Sequence, residues 1–519
     1  MKNVKIPFQS LAALCLLATL QACSTPNRDT LPSNDPPLPA RFPDAGGGSS
    51  SSSGTLGWQD YFTDSHLKSL IGTALANNQE LNILMQEIAV SKSEVLERKG
   101  ALFPFVTLGT RAGLEKVGRF TRDGAVEESL EIKEGKEFPE PLPEFGVVAD
   151  FDWEVDIWKK LRNERSAAVQ RYLASQEGRS FMMTHIVAEI AQTYYELVAL
   201  DNQLSILQRT VGIQNDALGA VKMQKDAAKV TELAVRRFDA EVLKNQSHLF
   251  EIRQKITETE NRLNYLVGRY PQPVNRNSSG FETLALRSIR AGLPAGLLRN
   301  RPDVRQAELE LAAAGLDVKA AGARFYPALN IRAALGLEAF SLDHTLFTTP
   351  ESLVYGVAAN IAAPLINRSA IQAAYQGASA RQISAIYSYQ QTVLKAYIEV
   401  VNQLAEIRNL NQSFDLKGRQ VAAMSDSITL STKLFNSARA DYTEVLLTQR
   451  EALEARMDLV ELKQQQLSAY VKAYKALGGG AADPNDGKTP VTASVSAAGL
   501  AQPAKGGLFR RMFPYHGGT

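Results

Sequence analysis

Two cysteines, three tryptophans and five histidines are all that the 519 residues contain of the usual site-building types. Cys15 and Cys23 are too few for a disulfide framework. His66, His185, His248, His344 and His516 are scattered without metal-ligand spacing, and no GxSxG, phosphate-binding loop or zinc motif accompanies them. No enzyme, cofactor or metal site is therefore expected. An excess of one charge is missing too: 57 Lys and Arg stand against 55 Asp and Glu, a net +2 that argues for no nucleic-acid partner. After the first 22 residues no uninterrupted apolar run reaches the roughly 18 that a membrane-spanning helix needs. Proline is absent from Glu144 to Tyr270 and again from Leu365 to Asp483.

The N-terminus has Lys2 and Lys5, then an apolar run from Leu11 to Leu20, the layout of a secretory signal. It ends in Leu20-Gln21-Ala22-Cys23, which resembles a bacterial lipobox. The resemblance implies removal of residues 1–22 and lipidation of Cys23, and Ser24 implies sorting to the outer membrane, with its lipid as the anchor. Residues 23–56 are rich in proline, serine and glycine and read as a flexible lipid-anchored tether. Residues 481–519 read as a disordered tail.

The two proline-free stretches are dense in helix formers, with helical spacing in Ile186, Ile190, Tyr194, Leu197 and in Leu453, Met457, Val460, Leu467. Each is expected to be an antiparallel hairpin of very long helices. An arm from about 160 to about 226 would span roughly 100 Å and needs coiled-coil-like partners. His185, amid helix formers, is expected to pack in a ring of helices rather than to serve a site.

The chain also repeats itself. At an offset of 223 residues (327 − 104), Pro104 matches Pro327, Asn77 matches Asn300, Glu87 matches Glu310 and Val95 matches Val318. Each copy is a helix ending at an aromatic–proline pair, Phe103-Pro104 or Tyr326-Pro327, and proline disfavours helix in the residue before it. Pro104 and Pro327 are thus helix-to-strand switches. Alternation follows each: strand hairpins are expected at 105–116/145–154 and 328–340/353–363. Val106, Leu108, Phe151, Trp153, Leu335 and Tyr355 share the apolar side. Arg111, Glu115, Asp150, Asp152, Arg332 and Glu338 fall opposite. The first repeat covers 57–285 with a helical tip near 223–235, the second 286–480 with a tip near 434–446.

About ten alternating residues per strand is the signature of an outer-membrane strand, although a half-buried soluble sheet alternates in the same way. The chain has no leftover globular segment to cover the apolar face, which favours the membrane. Four strands cannot close a barrel, and an open edge in lipid leaves backbone groups unpaired. Copies must therefore share one. Two would give about eight strands and a plugged interior, three about twelve and an open pore. Residue patterns alone do not choose between them.

These pieces resemble the outer-membrane factor family, the TolC/OprM/NodT-like efflux channels, in its lipoprotein branch. The residues that carry this are Leu20–Cys23, Trp58–Leu75, Trp153–Arg162 in WEVDIWKKLR, Ala191–Leu197 in AQTYYEL and Arg301–Leu311 in RPDVRQAELEL. The resemblance implies an α+β membrane protein. A transmembrane β-barrel shared by a homotrimer, four strands per subunit and twelve in all, would be continued by a long periplasmic α-helical barrel. It further implies a passive exit duct joined by a periplasmic adaptor (membrane fusion) protein to an inner-membrane RND- or MFS-type pump. The second tip resembles the family pattern GxADYxEVL, with Asp441, Tyr442, Glu444 and Val445 matching, so Glu444 and Asp441 are the candidate gate carboxylates. Ala228 and Ala438 hold the places of the usual tip glycines and mark the candidate adaptor-docking turns. Two other readings stay open: a duct for type I protein secretion, and a lipid-anchored coiled-coil scaffold that conducts nothing.

Overall fold

Alternation and proline placement set the local structure along the chain. A computed structural model describes residues 31–33, 38–43, 52–137, 139–284, 289–364, 368–437 and 439–480. The signal segment, Cys23, Ala438 and the 481–519 tail lie outside the described residues.

Two helices, α1 (Ser65–Asn77) and α2 (Gln79–Gly100), lead into β1 (Phe105–Glu115). A small helix α3 (Arg122–Ser129) and a short hairpin, β2 (Glu131–Lys133) and β3 (Lys136–Glu137), precede β4 (Leu142–Val155). Then come α4 (Lys160–Asp226) and α5 (Glu232–Val267). The second half runs α6 (Pro302–Ala323), β5 (Ala328–Ala339), α7 (Leu342–Phe347), β6 (Leu353–Ala362), α8 (Ser369–Asn436) and α9 (Tyr442–Ala476).

The strands form one antiparallel sheet in the order β1-β4-β5-β6. Their bounds differ from the sequence expectation chiefly at β4, which starts at Leu142 rather than 145. Leu142–Glu144 continue the ladder with β1 although Pro143 lacks an N–H. Pairing with β5 stops at Phe145, so at Pro143 the strand has a neighbour on one side only and the missing donor costs nothing. The segment between β1 and β4 holds the β2–β3 hairpin, and Glu140 near its end pairs with Lys116 at 3.1 Å and Arg119 at 3.0 Å.

The helical hairpins need a larger correction. The descending arms α4 and α8 have 67 and 68 residues, about 100 Å each. The returning arms α5 and α9 have only 36 and 35. The N-terminal part of α4 packs against α2 and α6, and α8 packs against α6. Along α4 the shorter helices α2 and α5 thus meet nearly end to end, and along α8 the shorter α6 and α9 do the same.

Glycine marks the joint. Gly268 ends α5 at φ +76°, and a Cβ there would meet the Asn77 carbonyl oxygen at 2.5 Å. Gly478, just beyond α9, is at φ +117°, with the Asn300 carbonyl oxygen 2.4 Å from a Cβ. Only glycine fits either place. Beside them, Asn78 donates to the Leu266 carbonyl at 2.8 Å and caps α2 through Leu81 N–H at 3.1 Å. In the second half Arg301 donates to the Ala476 carbonyl at 3.0 Å.

The core is a string of patches along the helices. The largest surrounds the first joint and includes Leu67, Ile71, Ile186, Ile190, Tyr194, Leu197, Leu263 and Leu467. Within AQTYYEL, buried Tyr194 sends its hydroxyl to Asp64 at 2.7 Å, and the other Asp64 oxygen caps α1. Burial raises the Tyr194 phenol, and the Asp64 carboxylate raises it further.

The tether reading needs amending as well. Phe42 is 4% exposed and stacks on Tyr397 of α8 at 5.4 Å. Gln390 of α8 donates to the Ser33 carbonyl at 2.8 Å, and Ser53 exchanges hydrogen bonds with Arg290. Composition marks the segment as polar, but one phenylalanine buries enough area, worth about 2–3 kcal/mol, to hold it locally.

Candidate functional site

The sheet presents two unlike faces. Register aligns Leu108, Ala149, Leu335 and Tyr355 in one row and Phe105, Asp152, Arg332 and Ala358 in another. Since successive residues point to opposite sides, all of the apolar rows share one face. Leu108, Tyr355, Val357 and Ile361 remain between 73% and 79% exposed there. On the other face Arg332 pairs with Asp152 at 3.0 Å. Among the described residues neither β1 nor β6 has a strand on its outer edge.

Both helix-to-strand switches are clamped by tryptophans of WEVDIWKKLR. The Trp153 indole donates to the Leu102 carbonyl at 3.1 Å, two residues before Pro104. The Trp158 indole donates to the Pro327 carbonyl at 2.7 Å, and its ring stacks on Tyr326 at 4.8 Å. Asp156 then starts α4, accepting from the N–H groups of Leu161 and Arg162 at 3.0 Å and from the Arg162 guanidinium at 2.9 Å. Desolvation opposes the Asp156 charge, but these donors outweigh it and lower its pKa. Sequence reasoning identifies the motif without these roles. The signal lies in its spacing, since the two rings are five residues apart on either side of the strand's end.

At the other end of the helices are the tips. In the first, Ala228 sits at φ +59°, with Lys229 N–H closing on the Gln224 carbonyl at 2.9 Å. This is a Schellman-type stop, which normally uses glycine, so alanine here carries backbone strain. Glu232 follows, hydrogen-bonded by Lys225 at 3.2 Å and Arg236 at 2.9 Å. The hydrogen bond from Lys225 is the main cause that holds its carboxyl below the usual range. The second tip closes similarly, Arg439 N–H reaching the Leu434 carbonyl at 2.9 Å.

Tyr442 and Leu446 of the second tip pack on Leu218, Val221, Ala234, Val235, Phe238 and Val242 of the first hairpin. The two tips are thereby joined within one chain. Asp441 is the extended residue just before α9 and Glu444 lies in the first turn of that helix, and both are exposed. Glu444 has no ion-pair partner among the described residues, and there the Asp441 carboxylate receives only a long 3.5 Å contact from the Thr443 hydroxyl. Both acids thus lie at the start of α9, while Ala228 forms the turn of the first hairpin and Ala438 is outside the described residues. No group of three or more His, Cys, Asp and Glu suited to a metal occurs among the described residues, and no helix there is long and apolar enough to cross a membrane.

His185 is half-buried on α4. It accepts from the Lys475 ammonium at 2.7 Å through Nδ1. Desolvation first, then the Lys475 charge, lowers its pKa.

Comparison with known proteins agrees with this geometry. The sequence pattern of the family described as outer membrane efflux protein matches residues 70–269 and 293–479. The chain is 27% identical over 475 residues to the pyoverdine export outer membrane protein OpmQ of Pseudomonas putida, covering 90% of this chain and 97% of that one. It is 26% identical to the cation efflux system protein CusC of Escherichia coli, covering 82% and 88%. Among solved structures, the open-state MtrE outer membrane channel of Neisseria gonorrhoeae superposes with a TM-score of 0.75 at 23% identity, over 87% of this chain and 98% of that one.

Proposed function

The chain belongs to the outer membrane efflux protein family and is an outer-membrane efflux channel; from that premise we propose that three copies form the passive exit duct of a tripartite pump. Each copy contributes four strands to a twelve-stranded barrel, and the helices of all three ring a periplasmic tube. Cys23 carries the lipid anchor after residues 1–22 are removed. The hairpin tips meet a periplasmic adaptor, through the turns at Ala228 and Ala438, and the pump behind it is of RND or MFS type. Its cargo is small molecules, in keeping with the export proteins to which the chain is similar.

The single observation that carries this reading is a four-stranded sheet with an apolar exposed face and, among the described residues, no strand on either outer edge, leading into helices about 100 Å long. Bare backbone edges are costly in lipid, and neighbouring copies are the partners of the same chemistry. At the far end, threefold repetition of Glu444 and Asp441 places a carboxylate ring at the constriction. Such a ring favours cations and resists closing on itself unless protonated or neutralised.

The test uses full-length protein purified in detergent and reconstituted in a planar bilayer. Its mass should be three copies, and it should conduct. Glu444→Gln together with Asp441→Asn should reduce cation selectivity without changing the mass. A folded monomer that conducts nothing would overturn the reading.

A further inference from the structure

The rim of the sheet next to the helices carries a patch that conduction does not use. Trp153 belongs to the apolar face, one register step beyond the start of β1 and opposite Ile331. It is 37% exposed, and Phe103, Ile157 and Trp158 around the same junction are also exposed. The indole N–H groups are already held by the Leu102 and Pro327 carbonyls, so the rings stand fixed at the end of the apolar band. Amphipathic rings at that height suit the boundary between acyl chains and headgroups.

Basic residues crowd the same level. Arg98, Lys160, Arg162 and Arg324 are matched internally by Glu164, Glu154, Asp156 and Glu164. Lys99, in the last turn of α2, and Lys159, directly after Trp158, are exposed and have no ion-pair partner among the described residues. Local folding accounts for Lys99, because a cation is favoured at a helix C-terminus. It does not account for Lys159. That residue sits at φ +61°, a region that disfavours any side chain beyond glycine, and it precedes the N-terminal end of α4, where the dipole repels a cation.

We propose that this rim binds the anionic headgroup of a phospholipid in the periplasmic leaflet. Lys159 and Lys99 meet the phosphate, while Trp153 and Trp158 border the acyl chains. The proposal rests on the sheet being membrane-embedded. What supports it is the continuity of the patch with the lipid-facing rows and its complementary charge.

The experiment reconstitutes full-length protein in phosphatidylcholine vesicles with and without phosphatidylglycerol, and measures phosphatidylglycerol enrichment in the protein's lipid shell. Wild type should show a preference that high salt erases. Lys159→Gln with Lys99→Gln should lower it by about fivefold per lysine, the fold-change expected for one basic group near an anionic surface. Lys159→Gly separates lipid binding from folding: it should be at least as stable in phosphatidylcholine, because the turn relaxes, yet lose as much enrichment as Lys159→Gln. Equal enrichment in wild type and the double variant, with insertion and conduction intact, would overturn the lipid site alone. Failure to insert or conduct in either vesicle would overturn the membrane reading and this site with it.

Discussion

Replacing Arg301 by alanine should destabilise the helical body by about 3–5 kcal/mol, the range for removing one partner of a buried ionic network. Arg301 is 4% exposed, and its guanidinium makes four bonds: to both Asp303 oxygens at 2.9 and 2.6 Å, to Glu399 at 2.8 Å and to the Ala476 carbonyl at 3.0 Å. Loss of the carbonyl's partner alone leaves a buried acceptor unmet, worth about 1–3 kcal/mol. The Asp303 fork adds about 1.5–3 kcal/mol, since its carboxylate is mostly buried. Glu399 keeps 39% of its side chain in water and contributes little on deletion. Arg301→Lys keeps the charge but cannot fork, so about half of the loss should remain. Asn78→Ala, at the other joint, removes a cap and a buried bond and should cost about 2–4 kcal/mol. Urea unfolding of the purified protein, followed by helical circular dichroism, measures all three, with unfolding rates compared if refolding fails. An Arg301→Ala protein within about 0.5 kcal/mol of wild type would refute the reasoning.

Ala228→Gly relieves the left-handed alanine and should stabilise the first tip by about 0.5–1 kcal/mol, seen as slower hydrogen exchange at residues 224–232. Phe42→Ala should release the segment around residues 38–43 from α8, a local loss of about 3 kcal/mol. Proteolysis there should quicken while the main unfolding transition stays in place. His185 has a folded pKa below its unfolded one, so the folded state binds fewer protons in that interval. Its stabilisation should be complete above about 6.5, the ordinary histidine value, and decline as pH falls from there toward the lowered folded value. His185→Gln should flatten that part of a stability-against-pH curve, and an unchanged slope would show that the Lys475 contact carries no proton linkage.

Much of the sheet is readable from residues because its information is local. Period-two alternation in β1, β4, β5 and β6 needs no knowledge of distant neighbours, and Pro104 and Pro327 act on the residue beside them. The length of the returning helices is less accessible. A lack of proline allows a helix to continue but does not say that it does. α5 and α9 stop where Gly268 and Gly478 meet a backbone carbonyl from far along the chain. The pairing of Asn77-Asn78 with Asn300-Arg301 at the 223-residue offset holds that information, once the carbonyls facing them are known. Tip positions can be bracketed, and their acids found, through residue identity. The strain at Ala228 cannot, because alanine does not announce a positive φ. Phe42 is hidden for a different reason, as one aromatic in a low-complexity stretch leaves the averages unchanged.

The glycine joints also have an implication for how such a molecule changes its reach. Below a joint, α4, α5, α8 and α9 must stay in step with one another, while α2 and α6 are not involved. Seven residues added to both arms of each hairpin near the tip would extend the tips by about 10 Å and leave the joint's register intact. Adding them to one arm would shear the tip contacts of Tyr442. Length at the tips can therefore change without redesign of the half nearer the sheet, because the glycine joints separate the two parts of the helical body.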